Sequence, residues 1–354
     1  MRIGLVAPPW VSVPPVAYGG TETVLDALAR GLVALGHEVL LVTTADSTCP
    51  VPKFAVMNRA ATEQMGTSVV ELTYVVGAYE AVKTFDIVHD HTIVGPIYSE
   101  RFAGLPVVTT CHGPFRGPLE PGGRFDATFE HLYRAIAGRV PVIGISHDQA
   151  SRAGDIPVAT VIHHGIDPAA FVPGDGDGGY VAFLGRMSPN KGVHRAALAA
   201  RKAGVPLKIA ARMSGWERDY FDDQVAPLLG GDIEYVGELD STDKRELLRG
   251  ARALLNPIRW PEPFGMVMIE SLACGTPVIT FPEGAAPEII DHGITGFLCA
   301  DDDEMAAALG RTDELNRDAC RHAVETRFSY ERMAADHVKF YEQVLFGEFA
   351  TAWW

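Results

Sequence analysis

The chain has 354 residues, 47% hydrophobic and 21% charged, enough apolar material for two cores at about 150 residues per domain without a disulfide or metal staple. Thirty Lys and Arg against 45 Asp and Glu give a formal net charge of −15, a surface that repels phosphate backbones and anionic lipid and excludes bulk nucleic acid as a partner. The five cysteines, Cys49, Cys111, Cys274, Cys299 and Cys320, are odd in number with no C-x-x-C pair, which reads as reduced thiols in a cytoplasmic protein.

Arg2 to Ala7 reads as a short apolar strand, too short and too soon broken by prolines for a signal peptide. A Pro/Gly-rich loop ends in Tyr18-Gly19-Gly20, and Thr21 is positioned to cap a helix to about Leu35. Val24, Leu25, Leu28, Leu32 and Leu35 form its apolar face. Gly36 stops that helix and Glu38 to Thr43 is the next strand, so the opening is a βαβ unit with a parallel sheet. Further strands are expected at Asp86 to His91, Val107 to His112, Val142 to Ser146 and Thr160 to His163. Their continuous apolar runs suit strands covered on both faces. Asp167 to Gly179 breaks the rhythm with Pro, Gly and Asp and reads as a linker. A second alternation follows, with strands at Tyr180 to Leu184, Leu207 to Ala210, Ile233 to Val236, Ala253 to Asn256 and Pro277 to Phe281. Helices lie between them, and a last one runs from about Tyr330 to Phe346. The pattern is α/β, two doubly wound domains with a ligand crevice between them. No window approaches 18 consecutive apolar residues, so no stable membrane insertion is expected.

The stretch from Pro261 to Ile279 is the most informative. Gly265 permits a tight turn, Met266 to Ala273 forms a helix, and Gly275 ends it before a strand. The start of that helix therefore lies at the carboxyl edge of the sheet, where backbone N–H groups can hold phosphate. Glu262 and Glu270 flank the turn eight positions apart. One carboxylate can face a sugar and the other can accept from ribose hydroxyls; equally, both can simply favour a helix N-terminus. Metal readings are weaker. His89-Asp90-His91 alternates across a strand unless the strand has ended. His163-His164 cannot chelate from a regular strand, and Asp301-Asp302-Asp303-Glu304 precedes a helix that acidic residues would stabilise.

Glu262-Pro263-Phe264-Gly265 with Glu270 and Ala273-Cys274-Gly275 resembles the E-x7-E signature of glycosyltransferase family 4, a family of retaining GT-B enzymes. Gly185-Arg186-Met187-Ser188-Pro189-Asn190-Lys191-Gly192 is similar to that family's G-R-x4-K-G loop, and Val236-Gly237-Glu238 to its turn beside the nucleotide base. Asp86 to His91, Thr110-Cys111-His112-Gly113 and His164-Gly165-Ile166-Asp167 resemble further family elements, so the likeness spans almost the whole chain. It implies a GT-B fold, two Rossmann-like domains facing a central cleft. Residues 1–172 with about 335–354 would bind the acceptor, and 173–334 the nucleotide-sugar donor. It implies that Arg186 and Lys191 bind the donor diphosphate, and their charge suits a departing nucleoside diphosphate. Phe264, Gly265 and Met266 would offer backbone amides, Glu270 would take the ribose hydroxyls, Glu262 the donor-sugar hydroxyls, and His112 would face the donor sugar. Gly19 and Gly20 would close the site, Gly185 would precede the arginine, and Val236, Gly237 and Glu238 would lie near the base. The implied reaction is metal-independent, cofactor-free hexosyl transfer to a hydroxyl with retained anomeric configuration, by front-face attack.

The chain departs from the family in places. His164 replaces the usual asparagine. Ala210 to Gly215 lacks the usual glycine-rich base-side turn, which leaves the base open; uridine is the first choice and guanosine the second. Trp260-Pro261 stands where a small polar residue is common and reshapes the sugar pocket. Arg116, Arg124 and Arg134 read as solvated charges or as contacts to an anionic acceptor, and a soluble small molecule or saccharide is the favoured acceptor. The competing readings are an epimerase or pseudo-glycosyltransferase on the same donor grip, and a non-catalytic sugar-nucleotide sensor or partner subunit.

Overall fold

A computed structural model describes residues 1–17, 19–116 and 128–347; Tyr18 and Arg124 lie outside them. The chain divides into two compact units, Met1–Gly165 with the segment from Tyr330 onward, and Ile166–Ser329. The divisions fall seven residues before the sequence boundary at 172 and about five before that at 335, a displacement with a visible cause. The Arg321 guanidinium donates to the carbonyls of Pro168 and Phe171 at 2.8 Å, and that of Arg317 to Gly174 O at 2.7 Å. The Asp167 to Gly179 stretch, read as a linker, is thus strapped to the second unit by charge-assisted hydrogen bonds.

The first unit is a seven-stranded sheet in the order β3-β2-β1-β4-β5-β6-β7. Its strands are β1 Arg2–Val6, β2 Glu38–Thr44, β3 Lys53–Met57, β4 Ile87–Asp90, β5 Val107–Thr110, β6 Val142–Gly144 and β7 Thr160–Val161. All neighbours pair in parallel. β4, β5 and β6 are buried at every residue, as strands covered on both faces must be. Edge strand β3 was not foreseen: its apolar run is only Phe54 to Met57, and no residue of it is buried.

The first helix, Gly20–Ala34, begins at Gly19 with no side-chain cap. Thr21 is therefore inside the helix rather than its cap: Gly19 O accepts from Thr23 N at 3.0 Å, which starts the helical ladder two residues before the expected point. The helix Tyr330–Leu345 packs against this one, and a Cβ on Gly31 would stand 2.7 Å from Ala334 Cβ.

The second unit is a six-stranded parallel sheet in the order β10-β9-β8-β11-β12-β13. Its strands are β8 Val181–Arg186, β9 Leu207–Arg212, β10 Ile233–Gly237, β11 Leu254–Asn256, β12 Val278–Thr280 and β13 Gly296–Leu298. Phe183, Ile209, Leu255, Ile279 and Phe281 form its centre, each at most 1% exposed. Full burial of such side chains contributes about 1.5–3 kcal/mol each. In both sheets the order reverses beside the first strand, between β1 and β4 and between β8 and β11. At such switch points the loops leaving the carboxyl ends diverge and open a crevice.

Candidate functional site

The second unit's switch point is flanked by the loops after β8 and β11. The first runs from Met187 to Gly192 and leads into the helix Val193–Ala203; the second runs from Pro257 to Gly265 into the helix Met266–Ala273. Gly192 takes φ +77, and a Cβ there would lie 2.4 Å from Pro257 O, so only glycine lets the two loops touch. Arg195 joins them, donating from Nε to Pro257 O at 3.0 Å and from Nη2 to Pro189 O at 3.1 Å. Arg259 N donates to Asn190 O at 3.1 Å. The first loop is shaped by Asn190, whose Oδ1 accepts from Ser188 Oγ at 2.6 Å and from Lys191 N at 3.0 Å.

This clamp brings Lys191 and Glu262 together. Lys191 Nζ forms an ion pair with Glu262 Oε2, and Trp260 Nε1 donates to the same oxygen at 2.8 Å. Nζ also lies 5.5 Å from the Trp260 ring centroid, within reach of a cation–π attraction. The lysine and glutamate side chains are 18% and 14% exposed, so a ligand can reach the pair. Gly265 takes φ +92 and serves as N-cap of the next helix without a side-chain cap. The first N–H groups of a helix have no partner within it, so those around Met266 face the carboxyl edge of the sheet. Phe264 is 2% exposed and meets Phe328 edge to face at 6.1 Å, which anchors the turn.

Glu270 behaves differently from Glu262. It is 6% exposed and receives Lys244 Nζ at 2.7 Å on Oε1. No acidic residue occupies the first turn of its helix, so dipole stabilisation does not account for Glu270, since that effect fades beyond the first turn. Gly185 and Arg186 end β8, in register with Ala211 and Arg212 of β9. Two guanidinium side chains thus leave adjacent strands side by side. Val236 and Gly237 end β10, Gly237 at φ +85, and Glu238 beyond them is exposed.

In the first unit, His112 lies just past β5 and joins a cluster the sequence did not reveal. His112 Nε2 and His91 Nδ1 are 2.8 Å apart, one donating to the other. The His89 and His91 ring centroids lie 3.9 Å apart, the planes tilted by 36°. They share a face because residues two apart on a strand point the same way, so the alternation argument against this pair fails: Asp90 between them is the residue turned away. His89 is held by Tyr341 Oη at 2.7 Å and Thr110 Oγ1 at 2.8 Å. His337 packs 5.2 Å from His89, and His164 stacks 5.2 Å from His112. Burial pushes His89, His91 and His164 well below the usual imidazole range, with neighbouring imidazoles adding to the shift. The same cause lowers His112 to about 3 and His337 to about 4. His91 Nε2 and His112 Nδ1 are buried without a hydrogen-bond partner among the described residues. Gly19 and Gly20 open the helix after β1, and a Cβ on Gly19 would stand 2.7 Å from Pro15 Cβ and 3.0 Å from Glu22 Oε2. Burial raises the Glu22 carboxyl to about 7.

The acidic run at 301–304 is helix-start chemistry. Asp301 Oδ1 accepts from Glu304 N at 2.9 Å and caps the helix Asp302–Ala308, and Asp303 pairs with Lys202 at 2.6 Å. All five cysteines are free and buried. Among the described residues no helix is long and apolar enough to cross a membrane. Arg116 and Arg134 both pair with Glu130, and Arg134 also with Asp155, which accounts for their charge within the protein.

Residues 171–326 match the family profile described as Glycosyl transferases group 1, and residues 18–170 the one described as Glycosyltransferase Family 4. The chain is 29% identical to a phosphatidyl-myo-inositol mannosyltransferase of Mycolicibacterium smegmatis, over 97% of this chain and 94% of that one. It is 28% identical to a glycogen synthase of Mycobacterium tuberculosis, over 95% and 91%. Among solved structures it is similar to AviGT4, a glycosyltransferase involved in avilamycin A biosynthesis, with TM-score 0.71 and 26% identity over 98% of both chains. Anabaena HepE in complex with UDP and glucose shares the fold, with TM-score 0.75 and 21% identity over 97% of this chain and 99% of that one.

Proposed function

We propose that this chain, which belongs to glycosyltransferase family 4, moves a hexosyl group from a nucleotide-diphosphate sugar to an acceptor hydroxyl with retention and without a metal. Glycosyl transfer and the GT-B pair of Rossmann-like units are family properties; the donor base, the stereochemistry and the metal independence are our reading. Its main support is the meeting of Lys191 and Glu262 across the second unit's switch point, beside the start of the helix at Met266.

A nucleoside diphosphate arriving there competes with Glu262 for the Lys191 ammonium. Lys191, Arg186 and the backbone N–H groups around Met266 then stabilise the negative charge that grows on the leaving diphosphate, and no metal is needed to neutralise it. Glu262, still oriented by Trp260, is left to accept hydrogen bonds from donor-sugar hydroxyls. In the transfer step the bond from the anomeric carbon to the phosphate oxygen breaks and its electron pair stays on the diphosphate. The acceptor oxygen bonds to the same face of that carbon, and its proton passes to the departing phosphate. UDP is the first choice of carrier and GDP the second. The acceptor panel includes soluble saccharides, and the names of the relatives add a lipid-linked inositol and a polysaccharide.

The test is a thermal-shift panel of UDP, GDP, ADP, dTDP and their common sugar conjugates, without added metal, on wild type and Lys191→Ala. A ligand at 100 times its Kd adds about 2.7 kcal/mol of stability. One diphosphate stabilising wild type and not the variant supports the donor site; no stabilisation at millimolar ligand removes it. Proton NMR of the product made from the matching sugar conjugate then reads the anomeric configuration.

A further inference from the structure

Glu270 is a buried carboxylate with one oxygen bound and one left over. Lys244 Nζ donates to Oε1 at 2.7 Å from the neighbouring helix Ser241–Gly250. Oε2 has no hydrogen-bond partner among the described residues. The Glu270 side chain is 8% exposed, and Oε2 is the oxygen that solvent still reaches; a carboxylate so largely buried is costly unless a counter-charge and hydrogen bonds compensate it. Position in the helix supplies neither, because Glu270 follows the first turn. The helix that carries Lys244 is itself fixed: Asp240 Oδ1 accepts from Thr242 N at 2.8 Å and from Asp243 N at 2.9 Å. The lysine stem is mostly covered, its side chain 21% exposed, so the ammonium is delivered to Glu270 in a defined place.

An ammonium is a point charge that can occupy one carboxylate oxygen and leave the other open, whereas a guanidinium tends to close both in a bidentate fork. The arrangement suits a carboxylate that must hold its charge and still accept a hydrogen bond from a ligand. We propose that Lys244 is the positioning residue of a ribose subsite: it fixes the Glu270 carboxylate so that Oε2 accepts from a ribose hydroxyl, and it thereby makes the protein prefer ribonucleoside over 2′-deoxyribonucleoside diphosphates. The proposal rests on the reading of Glu270 as the acceptor of ribose hydroxyls, and adds the residue on which that role depends.

Isothermal titration calorimetry of the full chain with UDP, GDP and their 2′-deoxy forms tests it, on wild type, Lys244→Met and Lys244→Arg. A hydrogen bond to a charged acceptor that goes unmade lowers affinity roughly tenfold or more, so wild type binds the ribose form at least about tenfold more tightly. Lys244→Met shrinks that ratio to within about twofold, mainly by losing affinity for the ribose form. Lys244→Arg, which keeps the charge, retains part of the ratio and serves as the readout should the methionine variant fail to fold. A wild-type ratio carried unchanged by Lys244→Met, or by Lys244→Arg with a fallen thermal midpoint, makes Lys244 a packing residue and overturns the proposal alone. No ribose preference in wild type overturns the Glu270 reading and this proposal together, while failure of both diphosphates to bind wild type removes the donor site itself.

Discussion

Lowering the pH from 7 to 5 should unfold the first unit well before the second. His89, His91, His112, His164 and His337 all titrate below their usual value because they are buried among one another. Each is neutral in the folded chain and takes up a proton, once unfolded, below about pH 6.5. A base with a lowered folded pKa contributes stability that is complete above the unfolded value and is lost as pH falls through it. Two groups oppose this. Glu22 and Asp90 are raised to about 7 by burial, so near pH 5.5 the folded chain holds protons on them that the unfolded chain releases. Glu71, raised for the same reason, adds to them. Five protons gained against two or three released leaves a net uptake on unfolding of about two, or about 3 kcal/mol per pH unit between pH 4.5 and 6.5. That is a large share of an ordinary domain stability of about 5–15 kcal/mol. All these groups belong to the first unit; in the second, His194 is the histidine lowered by burial. Hydrogen–deuterium exchange by mass spectrometry, corrected for intrinsic exchange at each pH, separates the two units peptide by peptide. Peptides from β4 and β5 should lose protection below about pH 6 while those from β8 and β11 keep it. Equal protection of both units across this range, or earlier loss in the second, would refute the assignment of the cluster as neutral and buried.

Three further outcomes are expected. Lys191→Ala removes the cation of the switch point and should cost roughly 10²-fold in kcat/KM, with weaker binding of the free diphosphate; calorimetry and steady-state rates check both. Trp260→Phe keeps an aromatic side chain but deletes the N–H that holds Glu262, so kcat/KM should fall about tenfold, and an unchanged rate would show that Lys191 alone orients that carboxylate. Transfer should persist in excess EDTA; loss of activity on chelation, restored by Mg²⁺ or Mn²⁺, contradicts the metal-free reading.

What could be read in the sequence and what could not differ by physical origin. Buried parallel strands announce themselves as short apolar runs, so β1, β2, β8 and β9 were located to within two residues at either end. The helix Met266–Ala273 was placed to the residue because Gly265 and Gly275 bracket it, both at positive φ. Edge positions hide: β3, with a four-residue apolar run and no buried residue, and three-residue β13 are too short to stand out. Arg186, Lys191, Glu262 and Glu270 stood out as candidates because spacing along the chain is one-dimensional information. Their partners did not. Lys244 in DKRELLRG looks like any solvated helix charge, and only the packing of its helix beside Glu270 gives it a role.

The histidine cluster shows the same limit from the other side. Strand alternation in fact puts His89 and His91 on one face, with only Asp90 turned away, so the expectation that they diverge was wrong; their rings lie 3.9 Å apart, tilted by 36°. His337, 246 positions beyond His91, enters because the helix Tyr330–Leu345 returns to the first unit and presents His337 and Tyr341 to β4. Contacts that depend on which unit a late helix rejoins are decided by tertiary packing. They carry no local signature, and here they determine the electrostatics around His112.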